Sequence, residues 1–330
     1  MFSWLYDLFS TLPYLRALGD YGTGKSRFLQ TIGSLCYRPM FMGGATTVSP
    51  IFRILHLIGG TLIIDEADLS SSDSDNEIIK IINLGYDKRQ GFAFRNEKQG
   101  DNHWPEPYNV YGPKILATRK EFDDKATESR CLTKRMSAAR PRPGIPYVLN
   151  DDFWSEARAL RNQLLTHRLR NHKPIVLDNS MAEESIEPRL NQVMMALKAT
   201  IDDPAMKSEL TTFMMAYNRE LIGKRGMQLP ALVLQAVVDI FYGPADLLGE
   251  KDLSMKNIAE RAQGIIAEWD PDERVSARRV TDVLINNLGL SGREDIKSRK
   301  GKGRKALLTD EAELSSLMAR WGVKLPEEDE

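Results

Sequence analysis

Gly19-Asp20-Tyr21-Gly22-Thr23-Gly24-Lys25-Ser26 fits the pattern G-x-x-x-x-G-K-[ST] at every fixed position. Glycine is needed where a loop bends sharply and brings its N–H groups close to an anion, so Gly19, Gly22 and Gly24 supply a concave nest. In this pattern the lysine reaches the β- and γ-phosphates and the hydroxyl takes one position on Mg²⁺, which assigns Lys25 and Ser26. Thr23 and Arg27 complete the expected nucleotide contacts. The flanks agree with this reading: residues 14–18 read as a strand, and residues 26–32 as a helix whose N-terminal dipole faces the phosphates.

The next strand supplies a partner. Thr61-Leu62-Ile63-Ile64-Asp65-Glu66 is an apolar run of buried-strand type ending in two carboxylates. Asp65 is placed to hold Mg²⁺ through water, and Glu66 to polarise the water that attacks the γ-phosphate. A glycine-rich turn alone can be a turn and nothing more. With the acidic strand behind it, the pair indicates a nucleoside triphosphatase.

Composition narrows the classes. At 330 residues the chain is long enough for two or three domains. A formal net charge of −1 excludes a uniformly basic nucleic-acid coat, so any DNA contact must come from local patches. Two cysteines, Cys36 and Cys131, make no disulfide framework, and four scattered histidines have no zinc spacing. No run suits a membrane span, and residues 1–12 lack the basic start and cleavage site of a signal peptide, so a cytoplasmic protein without membrane contact is expected.

Working outward, residues 1–9 suggest one amphipathic helix, and the loop's start at Gly19 leaves little chain for an upstream base-binding segment. Residues 39–42 suggest a strand, Ser49 a cap for a helix over 50–57, and residues 76–84 a helix burying Ile78, Ile79, Ile81 and Ile82, after a solvated turn at 70–75. Residues 91–95 and 108–111 can pair as a hairpin. Its polar tip would point Arg95 or Lys98 at a nucleic acid in a central pore, or be a plain surface hairpin.

Residues 114–119 form the next buried strand, which ends in Thr118 and Arg119. At that end of a triphosphatase sheet a hydroxyl can orient the attacking water, so Thr118 is the candidate and Arg119 the reserve. Downstream, Arg130 precedes a short strand at 132–133, where an arginine can cross a subunit boundary and neutralise transition-state charge in a neighbour's site. Its plainer reading is a surface salt bridge.

With these features in order the chain resembles the AAA+ ATPases, over roughly residues 14–200. Gly19 to Ser26 matches their phosphate loop, Leu62 to Glu66 their acidic strand, and Ile115 to Thr118 their first sensor. Ser129-Arg130-Cys131 looks like the box of clamp loaders and sits where minichromosome-maintenance-like helicases carry a Ser-Arg finger. Residues 46–68 are similar to replicative-helicase-like ATPases of phages and mobile elements. The resemblance implies an α/β P-loop core, a parallel sheet sandwiched by helices, followed by a helical lid. It also implies ATP and Mg²⁺ as cofactors and a homo-oligomeric ring, a hexamer. Arg189, at the start of the lid helix opened by Glu187-Pro188, would be a second sensor of the γ-phosphate; a solvated helix-start arginine is the other reading.

A proline-rich connector at 140–146 ends the first domain, and Asp151 or Asp152 is expected to cap a helix over 153–169 with Trp154, Ala157, Leu160, Leu164 and Leu165 on one face. In the last third, an apolar helix over 229–242 is followed by helices capped by Ser254 and Ser276. Val280, Val283, Leu284 and Leu288 form the stripe of the third, leaving Arg278 and Arg279 outside it. Lys297-Ser298-Arg299-Lys300-Gly301-Lys302-Gly303-Arg304-Lys305 then carries six basic residues in nine. Three helices and a basic hairpin resemble a winged helix, with the third helix in a major groove and the hairpin on the backbone. The expected domains are a nucleotide-binding core over 1–146, lid and connector over 147–228, a winged helix over 229–325 and an acidic tail over 326–330. The expected function is an ATP-driven ring motor on DNA, a helicase for replication of a phage or mobile element, working with other replication proteins. The alternative is an ATP-dependent DNA-binding switch or loader that does not unwind.

Overall fold

The computed structural model describes residues 1–43, 48–65, 73–99, 102–137, 143–243, 252–268, 274–297 and 303–326, with backbone alone at 48, 73–76, 99, 293–297 and 303–305. The chain divides into two compact units, Met1–Thr211 and Thr212–Glu330. The division falls within the helix Pro204–Gly226, whereas the sequence places its expected boundaries at 146 and 228.

In the first unit, β1 (Tyr14–Leu18), β2 (Met40–Met42), β3 (Leu62–Ile64), β6 (Lys114–Thr118) and β7 (Cys131–Arg135) form a parallel sheet in the order β2-β3-β6-β1-β7. Every residue of β3 and β6 is buried, as parallel strands covered on both faces require. The two faces are read alternately. Ile63, Ile115 and Ala117 pack with Leu29 of α1 (Lys25–Gly33). Leu62, Ile64 and Leu116 pack with Phe52 of α2 (Val48–Ile58) and with Ile81 and Ile82 of α3 (Asp73–Leu84). Between α3 and β6, β4 (Phe92–Gln99) and β5 (Asn102–Asn109) make an antiparallel hairpin from Phe92↔Asn109 to Gln99↔Asn102. The short α4 (Lys125–Glu128) leads into β7.

Several local expectations change. Residues 1–9 form two 3₁₀ turns, Phe2–Trp4 and Tyr6–Leu8, not one helix, because Leu5 and Phe9 are drawn into an aromatic cluster with Tyr111. Ser49 lies inside α2 instead of capping it, and α3 starts at Asp73 while Ile79 is only half-buried. The cap of α5 (Asp151–Asn171) is Asn150, whose Oδ1 accepts from Phe153 N at 3.1 Å. Of the face expected on α5 only Ala157 is buried; Trp154, Leu160 and Leu165 are exposed. The helices α6 (Pro188–Lys198), with Pro188 at its first position, and α7 (Pro204–Gly226) follow.

The second unit is built on α8 (Leu229–Tyr242), α9 (Met255–Ala267) and α10 (Ala277–Asp282), which continues as a π turn over Val283–Asn287. Ser254 and Ser276 accept from the N–H groups of Asn257 and Arg279 as caps, and Gly289 at φ 77° ends the third helix. Val233, Val237, Ile258, Ala262, Val280 and Leu284 fill the core. β8 (Arg293–Lys297) pairs antiparallel with β9 (Gly303–Leu307), and Leu307 N donates to Leu253 O at 2.9 Å, which fastens the hairpin to the helices. A last helix, α11 (Glu311–Trp321), adds Leu314 and Trp321 to the core.

Candidate nucleotide-binding site

The phosphate loop leaves the carboxyl end of β1, which lies between β6 and β7 in the sheet. Gly22 and Gly24 have φ of 70° and 85°, and a Cβ on either would meet nothing within 4 Å, so glycine serves the backbone conformation there and not the space. Gly19 is different: a Cβ would stand 2.7 Å from Met136 O and 2.9 Å from Thr23 Oγ1. Lys25 Nζ donates to the carbonyls of Gly19 and Asp20 at 2.7 and 2.8 Å, and Thr23 Oγ1 donates to Asp20 O at 2.7 Å. The loop is thus closed on itself, with Ser26 exposed at the first turn of α1. Arg27 donates to the carbonyl of Tyr147.

Registers bring the next candidates to the same sheet edge. Leu18 aligns with Thr118 and Ile64 with Leu116, so Gly19, Thr118 and Asp65 follow one another across β1, β6 and β3. Strands lie about 4.8 Å apart, which puts the loop and Asp65 about 10 Å from each other with Thr118 between them. Thr118 is 1% exposed, and its Oγ1 has no hydrogen-bond partner. A buried hydroxyl of that kind costs free energy unless something else satisfies it. Glu66 lies outside the described residues. Among those described, no three His, Cys, Asp or Glu side chains cluster to hold a metal. A hydroxyl and a carboxylate such as Ser26 and Asp65 match in kind the oxygen ligands that Mg²⁺ takes together with phosphate and water. The glycines at positive φ, the lysine and the orphaned hydroxyl fit a magnesium nucleotide.

Arg130 is elsewhere. Tyr14 N donates to Arg130 O at 2.9 Å, which puts Arg130 at the amino end of β1; at ~3.3 Å per residue the strand separates it from Gly19 by about 17 Å. Its guanidinium donates to Asn83 Oδ1 and lies 5.2 Å from the Tyr86 ring centroid. Arg189 lies 5.5 Å from the same centroid. Arg189, the second-sensor candidate, thus stands near Arg130. Burial and then the Arg189 charge push the Arg130 guanidinium below its ordinary value. Arg119, the reserve, stands 4.6 Å from the ring centroid of Tyr21 in the loop.

The remaining candidates are apart from this site. Arg95 pairs with Glu77 at 3.1 Å and covers the Phe52 ring at 4.9 Å, so it holds the hairpin to α2 and α3; Lys98, further out, is exposed. In the second unit Arg278 and Arg279 are exposed on α10. Lys297 ends β8, and Arg304 and Lys305 belong to β9, with their side chains outside the description; Arg299, Lys300 and Lys302 lie outside the described residues.

No protein-family model and no curated protein sequence matches the chain. Among solved structures, it is similar to the A-form apo structure of the NrS-1 C-terminal region, with a TM-score of 0.43 and 11% identity over 90% of this chain and 67% of that one. A second apo structure of that region gives a TM-score of 0.41 and 10% identity over 90% and 66%, so the chain spans about two thirds of the NrS-1 chains. JCV helicase with a bound acetamide compound gives a TM-score of 0.25 and 10% identity over 66% and 59%.

The sequence reading passed over Asn83 and Tyr86, which hold the two arginines. They belong to Asn83-Leu84-Gly85-Tyr86, where a helix ends, and no motif marks that stretch; the aromatic residue just past a helix-ending glycine is the one signal it gives.

Proposed function

We propose that the chain is an ATP-hydrolysing AAA+ motor that assembles as a hexameric ring around DNA and unwinds it in the replication of a phage or mobile element. One observation carries this reading: the phosphate loop, Asp65 and the unpartnered hydroxyl of Thr118 share one sheet edge, while Arg130 and Arg189 stand together at the other end of β1. A chain acting alone leaves those arginines unused. In a ring, they complete the site of the neighbour.

The roles follow from the chemistry of each group. Gly19, Gly22, Thr23 and Gly24 present backbone N–H groups to the phosphates, and Lys25 releases its loop carbonyls to reach them. Ser26 and Asp65 would hold Mg²⁺, which would supply positive charge against the phosphate oxygens. Glu66 takes the proton of the attacking water, and Thr118 orients that water. Arg130 and Arg189 of an adjacent copy stabilise the charge that develops as the phosphoryl group transfers.

DNA is held in two places. The β4–β5 hairpin offers Lys98 and the exposed ring of Phe94. The second unit acts as a winged helix, with Arg278 and Arg279 on the groove-facing helix and the run from Lys297 to Lys305 on phosphates. Each phosphate contact steepens the salt dependence by about one unit, so replacing Lys297, Arg299 and Lys300 by alanine reduces the slope by about three.

Strand displacement by the full chain with ATP and Mg²⁺ tests the reading. Displacement supports the motor. DNA-stimulated hydrolysis without displacement selects the switch or loader, and failure of the folded chain to bind any nucleoside triphosphate ends both.

A further inference from the structure

The phosphate loop accounts for a triphosphate and leaves the base of the nucleotide without a partner. Residues 1–12 do not supply one. Trp4 Nε1 donates to Leu35 O at 2.8 Å, Leu12 N to Tyr86 O at 3.0 Å, and the Tyr111 hydroxyl to Phe9 O at 2.6 Å. These bonds keep that segment at the amino end of β1 and the far end of α1.

The chain reaches the loop from the other direction. Met136 N donates to Leu18 O at 2.8 Å as the chain leaves β7, alongside Gly19. Further on, the Tyr147 carbonyl accepts from Arg27, in the first turn of α1 immediately after Ser26. Residues 145–148 therefore pass beside the expected triphosphate. They do so with apolar side chains turned outward: Tyr147 is 86% exposed and Val148 75%, with Ile145 exposed as well. Three exposed apolar side chains within four residues form a small apolar edge beside a charged loop. Tyr21, within the loop, is 72% exposed and offers a second ring.

Resting on the proposed function, we infer that residues 145–148 are the base-binding edge of the nucleotide site, with Tyr147 stacking on the nucleobase and Ile145 and Val148 shielding it from water. The carbonyl of Tyr147 is fixed by Arg27, which leaves the ring free to take up the base, and a flat ring restrained at its backbone loses little freedom on stacking. Arg27 then has a positioning role, holding the edge against α1. Stacking on an aromatic side chain is available to every base, because each has a π face, so this edge contributes affinity for the base as such.

Equilibrium binding by the full chain, in Mg²⁺, of ATP and of inorganic tripolyphosphate separates this inference from the one beneath it. The side chain is exposed, so its removal leaves the fold intact. Tyr147→Ala is expected to weaken ATP about tenfold and to change tripolyphosphate by less than about twofold, while Tyr147→Phe keeps wild-type affinity for both. If Tyr147→Ala binds ATP as tightly as the wild type while both bind tripolyphosphate, the base edge is wrong and the phosphate site stands. An equal loss of the two ligands also overturns the inference, since Tyr147 would then support the loop and not the base. If the wild type binds neither ligand, the proposed function falls and this inference with it.

Discussion

Arg130 and Arg189 share one aromatic ring, their guanidinium carbons standing 5.2 and 5.5 Å from the centroid of Tyr86. Two cations near one ring repel each other, and the quadrupole of a tyrosine ring offsets only part of that. Asn83 Oδ1 accepts from Arg130, Asn83 Nδ2 donates to Asp124 at 2.7 Å, and Thr127 Oγ1 donates to Asp124 at 2.6 Å. Hydrogen bonds from Thr127 and Asn83 hold the Asp124 carboxyl down to about 2. Arg130 thus donates to a neutral amide, with the Asp124 carboxylate one hydrogen bond further on and acting on it through space.

In the proposed ring the two arginines meet the transferring phosphoryl group of a neighbour. Arg130→Ala and Arg189→Ala are each expected to leave ATP affinity within about twofold and to lower kcat by about 10³, the lower part of the range for an arginine supplied in trans. Mixing Arg130→Ala with Glu66→Gln subunits should restore hydrolysis, since each supplies what the other lacks. Mixtures as inactive as the separate variants would place the arginines outside the site.

Thr118 gives a prediction in which stability and rate move apart. Its hydroxyl is buried and unpartnered, so Thr118→Val removes a desolvated polar group at almost constant volume and is expected to raise stability by about 1 kcal/mol or leave it unchanged. If the hydroxyl orients water, kcat falls at least about tenfold in the same variant. Urea denaturation and steady-state hydrolysis on one preparation check both. A destabilised variant with normal kcat would mean that Thr118 has only a packing role.

What was legible in the sequence is what local chemistry dictates. Glycines at positive φ, the apolar runs of β3 and β6, the caps at Ser254 and Ser276 and the glycine stop at 289 each carry their signal in a few neighbouring residues. Long-range choices did not. Nothing near Arg189 says that it meets Tyr86, and nothing near Arg16, in an otherwise apolar strand, announces a counter-ion far along the chain. The two turns at 1–9 have a helix-like pattern, yet tertiary packing around Tyr111 decided their form. The helices α7 and α11 lack a motif and were passed over for that reason.

Arg16 illustrates the cost of such a choice. It is 1% exposed within β1, and its guanidinium donates to both carboxylate oxygens of Glu128 at 2.5 Å and to Thr133 Oγ1 at 2.8 Å. Removing one partner strands a buried charge, so Glu128→Ala is expected to cost about 3 kcal/mol. Replacing both, as Arg16→Met with Glu128→Leu, should recover most of that loss, because the penalty belongs to the unpaired ion. Denaturation midpoints of the single and double variants decide: additive losses would mean that each side chain acts independently.

Lys114 links stability to pH. The residue is 1% exposed, and its ammonium donates to the carbonyls of Val110 and Gly112 at 3.1 and 3.0 Å and lies 4.9 Å from the Tyr14 ring centroid. Burial pushes it down to about 7 from an ordinary value of 10.5. Between those values the unfolded chain binds the proton and the folded chain does not, so unfolding takes up a proton and stability rises with pH across the window. Below the folded value both states are protonated and the burial penalty is constant. The slope from this one group is at most about 1.4 kcal/mol per pH unit. Lys114→Met carries no such charge, and its stability advantage over the wild type should be largest near pH 6 and shrink steadily towards pH 10. Urea titrations of both proteins at several pH values give that difference directly. A gap that does not change with pH would show that the folded protein keeps Lys114 charged throughout, with the carbonyls and the ring offsetting its burial.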